Sequence, residues 1–296
     1  MRSFIRKITP EFLLKAYRKR KKRLREDELE AKRRSGEVIT VDRLVNDLRA
    51  CGLKEGDDVL IHTSLSKIGY VENGPETVVS ALKKVIGEKG NILMPTSPNA
   101  GLQLEYIRSL EAFDVKNSPS ALGAITEYFR KLPNVKRSAH PTEPVACIGP
   151  DADFYTEGHL GELTPYTDRS PFARISERGG KILYVGVTFD NAGTNLHTLE
   201  DAVDFKYPVY YDEVFDVKII LENAERKIVQ TKVHNPEQSA KRKCDGLIPL
   251  FKDREVLREC KVGEARTLVV DAKRLLEVMI EEYKTRGVTM YTPEGE

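Results

Sequence analysis

The sequence predicts an α/β fold, a mixed central sheet with helices on both faces, preceded by a basic N-terminal helical arm. Three observations predict it. Short apolar runs ("DVLI", "NILMP", "KILYVGV") alternate with longer amphipathic segments, the pattern of strands separated by helices. Gly, Pro and Asn mark the ends of those segments. Residues 1–35 hold 14 Lys/Arg against 5 Asp/Glu, a net +9, so within the overall +2 the rest of the chain carries −7.

The elements follow in order. "VDRLVNDLRACGL" places Leu44, Val45, Leu48 and Leu53 on one helical face and closes near Gly52. "DVLIHTS" is a short buried strand. "GPETVVSALKKVIG" is a helix opened by Gly-Pro-Glu and stopped at Gly87. "GNILMPTS" is a second strand, and "SALGAITEYFRKL" a helix for which Ser118 or Ser120 is the candidate N-cap. "PFARISERG" reads as a helix capped by Ser170 with Pro171 in its first turn. "KILYVGVTF" is a third strand and "NLHTLEDAV" a helix. Residues 209–233 alternate polar and apolar, a β-hairpin turning near Glu222–Arg226 beside the sheet. "DAKRLLEVMIEEYKTRG" is the last helix. No internal repeat is present. Residues 1–40 read as the arm and 41–296 as one domain.

At 296 residues, 40% hydrophobic and 32% charged, the chain suits a globular protein with a polar surface. Cys51, Cys147, Cys244 and Cys260 are far apart in sequence, with no CxxC spacing. That pattern argues against a cysteine zinc site or a disulfide framework and for a reducing, cytoplasmic compartment. No apolar run approaches the ~20 residues of a membrane span, and the N-terminus lacks a signal-peptide core. In the arm, Phe4, Ile5, Ile8, Phe12 and Tyr17 recur at helical spacing before a basic run from Arg18 to Arg25. The favoured reading is a solvated helix packed on the body or on a second subunit, which makes a homodimer a candidate assembly. The alternative is contact with the inner face of an anionic membrane. Nucleic acid is not an expected partner, because no recognition motif accompanies the charge.

Four segments could carry chemistry. The turn after the first strand reads His62-Thr63-Ser64-Leu65-Ser66-Lys67-Ile68-Gly69, then Asn73-Gly74-Pro75. Its hydroxyls, backbone N–H groups and glycines could cradle a phosphate or a thioester carbonyl, although Ser, Asn and Gly also suit an ordinary turn. The spacing is neither a P-loop nor a dinucleotide fingerprint. After the third strand come His197 and Glu200, three apart and on one helical face. A carboxylate beside an imidazole fixes its tautomer and raises its basicity, as a general base for an amine requires. A surface ion pair is the competing reading. His140, in "AHPT", has an open role. His159 and the stretch Tyr166–Pro171 form the fourth segment. His62 reads as a buried strand-end histidine and His234 as a surface-turn residue, and neither is assigned to catalysis.

Together "IHTSLSKIGYVENGPETVVSAL", "ILMPTS", "AHPTEPVACIGPDA", "GHLGELTPYTDRSPFARI", "KILYVGV" and "TNLHTLED" resemble the aminoglycoside 3-N-acetyltransferase family, also called the antibiotic N-acetyltransferases. The late "VGEARTLVVDAKRLLE" is similar to that family's C-terminal helix, and the resemblance spans roughly residues 41–280. It implies a mixed α/β fold, acetyl-CoA as donor, a small-molecule amine as partner and a catalytic pair at His197 and Glu200. Thr63, Ser64, Leu65 and Ser66 would line the coenzyme A site, with Gly69 and Gly74 allowing close approach. His159, Arg169 and Asp201 are the expected acceptor contacts. Pro144 stands where the family commonly has Ser, and Thr167 and Arg169 where it often has glycines. An inward Arg169 would repel a polycation and favour an anionic acceptor. The expected reaction is therefore acetyl transfer to an amino sugar, such as a precursor of surface polysaccharide. The alternatives are a resistance-type aminoglycoside acetyltransferase and a non-catalytic protein that binds nucleic acid or membrane through its arm. A metallohydrolase would need a third ligand besides His197 and the neighbouring carboxylates.

Overall fold

The computed structural model describes residues 19, 20, 23, 24, 27 and 30–295. The apolar positions Phe4, Ile5, Ile8, Phe12 and Tyr17, and with them the membrane reading of the arm, lie outside the described residues. Residues 30–35 are helical, and Lys32 reaches Glu264 at 2.5 Å, tying the end of the arm to the body. Among the described residues no helix is long and apolar enough to cross a membrane.

Helix α1 (Val41–Ala50) starts where the Thr40 hydroxyl accepts from Arg43 N–H, and it buries Leu44, Val45 and Leu48 on one face. Strand β1 (Asp58–Thr63) follows, then α2 (Pro75–Ile86), entered through Gly74 at φ 58° with Pro75 in the first turn. The chain continues through β2 (Asn91–Pro95), β3 (Phe113–Asp114), α3 (Ala124–Phe129), β4 (Lys136–Arg137) and β5 (Val145–Ile148). Next come α4 (Pro171–Glu177), β6 (Lys181–Val185), a 3₁₀ turn (Thr194–His197) that runs into α5 (Thr198–Ala202), and the hairpin β7 (Phe215–Ile220) and β8 (Arg226–Thr231). Strands β9 (Leu257–Val262) and β10 (Ala265–Asp271) lead into α6 (Ala272–Arg286).

The main sheet has the order β4-β5-β2-β1-β6-β10-β9. Its centre is parallel, β1 pairing with β2 on one side and β6 on the other, and the flanks are antiparallel. Because side chains alternate along a strand, Val59, Ile61, Leu183 and Val185 pack beneath α1, α2 and α3, while Leu60, Ile182 and Tyr184 pack beneath α4 and α6. Both faces are thus apolar, and each fully buried Val, Leu or Ile contributes roughly 1.5–3 kcal/mol. β7 and β8 form a second sheet with β3, Phe113 pairing with Ile219.

The caps expected at Ser170 and Gly87 are present, the Ser170 hydroxyl accepting from Ala173 N–H. Helix α3 begins at Ala124 after Gly123 (φ 126°), later than a cap at Ser118 or Ser120 would place it. Ser120 instead hydrogen-bonds Thr126 through its side chain. The stretch likened to a C-terminal helix is corrected: Ala265–Asp271 is strand β10, paired with β9, and the helix starts only at Ala272, while charges at Arg258, Glu259 and Lys261 on the edge strand β9 mask its alternation.

The reading of the cysteines is corrected. Cys51 at the end of α1 and Cys260 in β9 form a disulfide across 209 residues of sequence. Distance along the chain says nothing about proximity once α1 packs beside the sheet edge, and the bond removes the cysteine argument for a reducing compartment. Cys147 and Cys244 are buried and free. Cross-links closing long loops stabilise by about 2–4 kcal/mol. A Cys51→Ala, Cys260→Ala variant is expected to melt several degrees below the oxidised protein in calorimetry, and equal melting temperatures would show that the bond contributes nothing.

Candidate functional site

β1 and β6 are parallel neighbours, His62 pairing with Tyr184 and Thr63 with Val185, so the loops that leave them emerge at the same edge of the sheet. Sites commonly form at such strand ends. Two contacts join the loops. Ser64 N–H donates to Val185 O at 3.0 Å. His62 Nε2 and Thr194 Oγ1 are 3.2 Å apart. The His62 ring also stacks on Tyr184, and burial pushes its pKa down to about 3. Thr194 opens the 3₁₀ turn that ends at His197.

On the β1 side, Thr63, Ser64, Leu65 and Ser66 line a cleft of about 350 Å³ together with Leu122, Gly123, Ala124, Ile125 and Val187. The Thr63 hydroxyl is buried there without a partner among the described residues. The Ser64 and Ser66 hydroxyls are 3.4 Å apart. Gly69 (φ 115°) and Gly74 are not among the lining residues. A Cβ on Gly69 would meet Ile39 Cδ1 at 2.7 Å, so packing explains that glycine.

On the β6 side the His197–Glu200 pair forms, and it has further partners. His197 Nδ1 donates to Glu200 Oε1 at 2.9 Å. His234 Nε2 donates to Oε2 at 2.8 Å and the Tyr291 hydroxyl to Oε1 at 2.9 Å. An ionised carboxylate only accepts, so the shared proton of each imidazole lies on the nitrogen facing Glu200. Among the described residues His197 Nε2 has no protein hydrogen-bond partner and is left as the basic lone pair. Tyr166 lies against both rings, 5.1 Å from His197 and 5.6 Å from His234, and Tyr210 stacks on His234 at 5.1 Å. Burial opposes the Glu200 charge, but the two imidazoles outweigh it and hold the carboxyl well below its ordinary pKa. Burial is the first cause that drives His197 below its ordinary value; Glu200 opposes that shift, and Arg242 and His234 reinforce it. The pair is therefore an anionic carboxylate and a neutral imidazole.

The acceptor contacts need correction. His159 is fully buried, with Nδ1 on Ser138 Oγ (2.9 Å) and Nε2 on Pro165 O (3.0 Å), and it stacks on His140. Both ring nitrogens are engaged, so it supports the fold rather than facing a ligand. Arg169 stands at the surface, 61% exposed, pairing with Glu162 at 3.3 Å. Asp201 adjoins the site and accepts from the Thr164 and Tyr210 hydroxyls, and burial is the main cause raising its pKa. His234 is not a surface residue but 4% exposed.

Several groups escaped sequence reasoning: His234, Tyr291, Gln103, Glu143 and Arg242. Gln103 donates to Glu143 Oε1 at 2.8 Å and accepts from His234 N–H at 3.0 Å. Burial pushes Glu143 up to about 7, with Gln103 and Arg242 opposing. Only the Glu in "HPTEP" carried any signal, as a charge in an otherwise apolar stretch. The ligand atoms of His197, Glu200 and His234 lie within 4.8 Å of one another, the third ligand that sequence reading lacked. These atoms already hydrogen-bond one another, and the nearby Arg242 guanidinium disfavours a dication.

The family model of aminoglycoside 3-N-acetyltransferases matches residues 60–284. The chain belongs to this family. Aminoglycoside N(3)-acetyltransferase VII of Streptomyces paromomycinus is 34% identical over 207 residues, covering 63% of this chain and 71% of its own. A crystal structure of the aminoglycoside acetyltransferase AAC(3)-Xa matches with a TM-score of 0.74 and 29% identity, covering 88% of this chain and 97% of that one. AAC-VIa bound to sisomicin matches with a TM-score of 0.68 and 30% identity over 82% and 96% of the two chains. Acetyl-CoA is the co-substrate of these acetyltransferases. The family match contains the cleft loop, His197, Glu200, His234 and Arg242 and ends before Tyr291.

The Glu143 shift makes a prediction with a definite sign. A carboxyl raised in the folded state contributes stability fully below its unfolded pKa of ~4.3 and loses it as pH rises through about 7. Glu143→Gln should raise the melting temperature relative to the native chain more at pH 8 than at pH 5. A pH-independent difference would count against a buried, protonatable Glu143.

Proposed function

We propose that this aminoglycoside 3-N-acetyltransferase homologue moves the acetyl group of acetyl-CoA directly to an amine of an aminoglycoside-type acceptor, with His197 as general base and Glu200 as its orienting partner. The observation that carries the reading is the His62–Thr194 contact at 3.2 Å, which joins the hydroxyl-lined cleft to the turn that presents His197. The hydroxyl-lined cleft and the turn that carries the buried His197 thereby lie at one sheet edge.

The residues of the cleft fit a thioester donor. The Thr63 hydroxyl is an orphaned buried donor beside Ser64 and Ser66, and such donors stabilise the negative charge that grows on an acyl oxygen. Bound there, acetyl-CoA supplies the acyl carbon that the amine attacks and the C–S bond that breaks. The remaining steps belong to the chain's own groups. His197 Nε2 takes the proton from the attacking amine, Glu200 steadies the imidazolium through Nδ1, and the same nitrogen returns the proton to the departing sulfur. A neutral resting imidazole suits this role, since a protonated one could accept nothing. An acetyl-cysteine route is disfavoured, because burial raises the thiol of Cys244 to about 12 and that of Cys147 well above its ordinary value.

The family match favours an aminoglycoside-type acceptor over a precursor of surface polysaccharide. With Arg169 at the surface and paired to Glu162, the earlier reason for an anionic acceptor at that position falls away.

Thiol release from acetyl-CoA over a panel of aminoglycosides tests the reading. His197→Ala should lower kcat by roughly 10²–10⁴-fold while leaving the calorimetric Kd for coenzyme A unchanged. A matching loss of both would remove His197 from the role of base.

A further inference from the structure

One segment at the site lies outside everything so far assigned to the reaction. The family match ends at residue 284, and helix α6 stops at Arg286, where Gly287 turns left-handed (φ 66°) and its N–H donates to Tyr283 O at 3.0 Å. The chain then folds back onto the body. Val288 and Met290 are fully buried members of the core. Lys243 N–H donates to Met290 O at 2.8 Å, Thr292 Oγ1 to Gly287 O at 2.8 Å, and Tyr291 N–H to Thr289 Oγ1 at 3.0 Å. Residues 287–292 belong to no helix or strand, yet these bonds fix the backbone on both sides of Tyr291.

That placement delivers one hydroxyl. The Phe205 and Tyr207 rings lie beside the Tyr291 ring, each with its centroid 6.4 Å away. The Tyr291 O–H donates to Glu200 Oε1 at 2.9 Å, the same oxygen that accepts from His197 Nδ1. Burial is the main cause that raises the phenol above its ordinary pKa, so it stays protonated and donates. The Arg242 guanidinium interacts with the same side chain, and a cation there makes the phenol a stronger donor. Glu200 needs such a hold. It sits in α5, a helix of five residues, too short to be rigid by itself. Its bond to His197 is local, spanning three positions, and anchors neither residue to the rest of the chain. His234 and Tyr291 reach the carboxylate from distant segments.

We propose that Tyr291 is a positioning residue for the acetyl transfer: its hydroxyl holds Glu200 Oε1 in place and, through that oxygen, fixes the direction of the His197 Nε2 lone pair. The inference rests on the general-base reading and adds to it a segment outside the family match. Tyr291 acts through Glu200 and not on a substrate. Its effect falls on the step in which His197 takes the proton, so it is felt in kcat and in neither KM. It also has a sign. Two donors share Oε1, and each draws on the same lone-pair density. Removing the phenol therefore leaves His197 Nδ1–H facing a stronger acceptor.

Thiol release by the full chain over the aminoglycoside panel tests the assignment. Tyr291→Phe keeps the ring and removes the hydroxyl. It should lower kcat roughly 10-fold, the scale of one hydrogen bond to a charged group, and leave both KM values unchanged. In a His197→Ala background the same replacement should change the residual kcat by less than about twofold, because no imidazole remains to be aimed. A purely structural hydroxyl would cost the same in both backgrounds, and that result would overturn the proposal. So would native kcat in Tyr291→Phe, or a loss carried by KM. The His197 Nδ1 proton, assigned by its absence from His197→Ala, should move downfield in the NMR spectrum of Tyr291→Phe. If that variant does not fold, 3-fluorotyrosine placed at position 291 keeps ring and hydroxyl and is the stronger donor. The proton should then move upfield, and an unmoved proton would count decisively against the assignment. Native kcat in His197→Ala, or silence with every aminoglycoside, would sink the general-base reading and this one with it. Lost kcat in His197→Ala beside native kcat in Tyr291→Phe would sink this one alone.

Discussion

A single buried carboxylate organises the site. Glu200 has its side chain wholly withdrawn from solvent, where an uncompensated charge costs several kcal/mol. Three donors compensate it, from His197, His234 and Tyr291. The first sets the tautomer of the imidazole, the second closes the other oxygen, and the third pins the segment beyond the last helix against α5. The stacked rings of Tyr166 and Tyr210 exclude water from the pair and keep its field strong. The neutral, oriented lone pair of His197 follows from that arrangement.

The sheet supplies the other half. Parallel pairing of β1 and β6 sends two loops out at one edge, one lined with hydroxyls and one carrying the imidazole. The charges around them are laid out unevenly. Among the described residues the hydroxyl-rich cleft has no ionisable lining residue, whereas Glu143, Asp201 and Arg242 lie near the pair. The cleft proposed for the donor and the pair proposed as the base thus have different electrostatic surroundings.

Much of this was legible because it is local. His197 and Glu200 are three residues apart, so helical geometry alone places them together. Ser170 and Pro171 announce a helix start, and Leu60 and Ile182 lie in runs too apolar for any surface strand. What stayed hidden depends on long-range contact. His234 resembles a turn residue until the hairpin folds back and brings it to Glu200, 34 positions away. Tyr291 is 91 positions from the same carboxylate and Cys51 is 209 from its sulfur partner. His159, promising because its loop offered no structural partner, finds two once Ser138 and Pro165 are brought beside it. Arg242 lay in a run of basic residues that reads as solvated surface, and only the burial of two of its nitrogens distinguishes it from Lys241 and Lys243.

The sharing of one carboxylate among three partners also constrains how the protein can diverge. Exchanging His234 alone leaves an oxygen of Glu200 without its donor. Exchanging Glu200 alone strips two imidazoles and a phenol of their common acceptor. Such positions are energetically coupled, and the effect of each replacement depends on the state of the others. A replacement at one of these four side chains is therefore expected to be tolerated only with a compensating change among its partners.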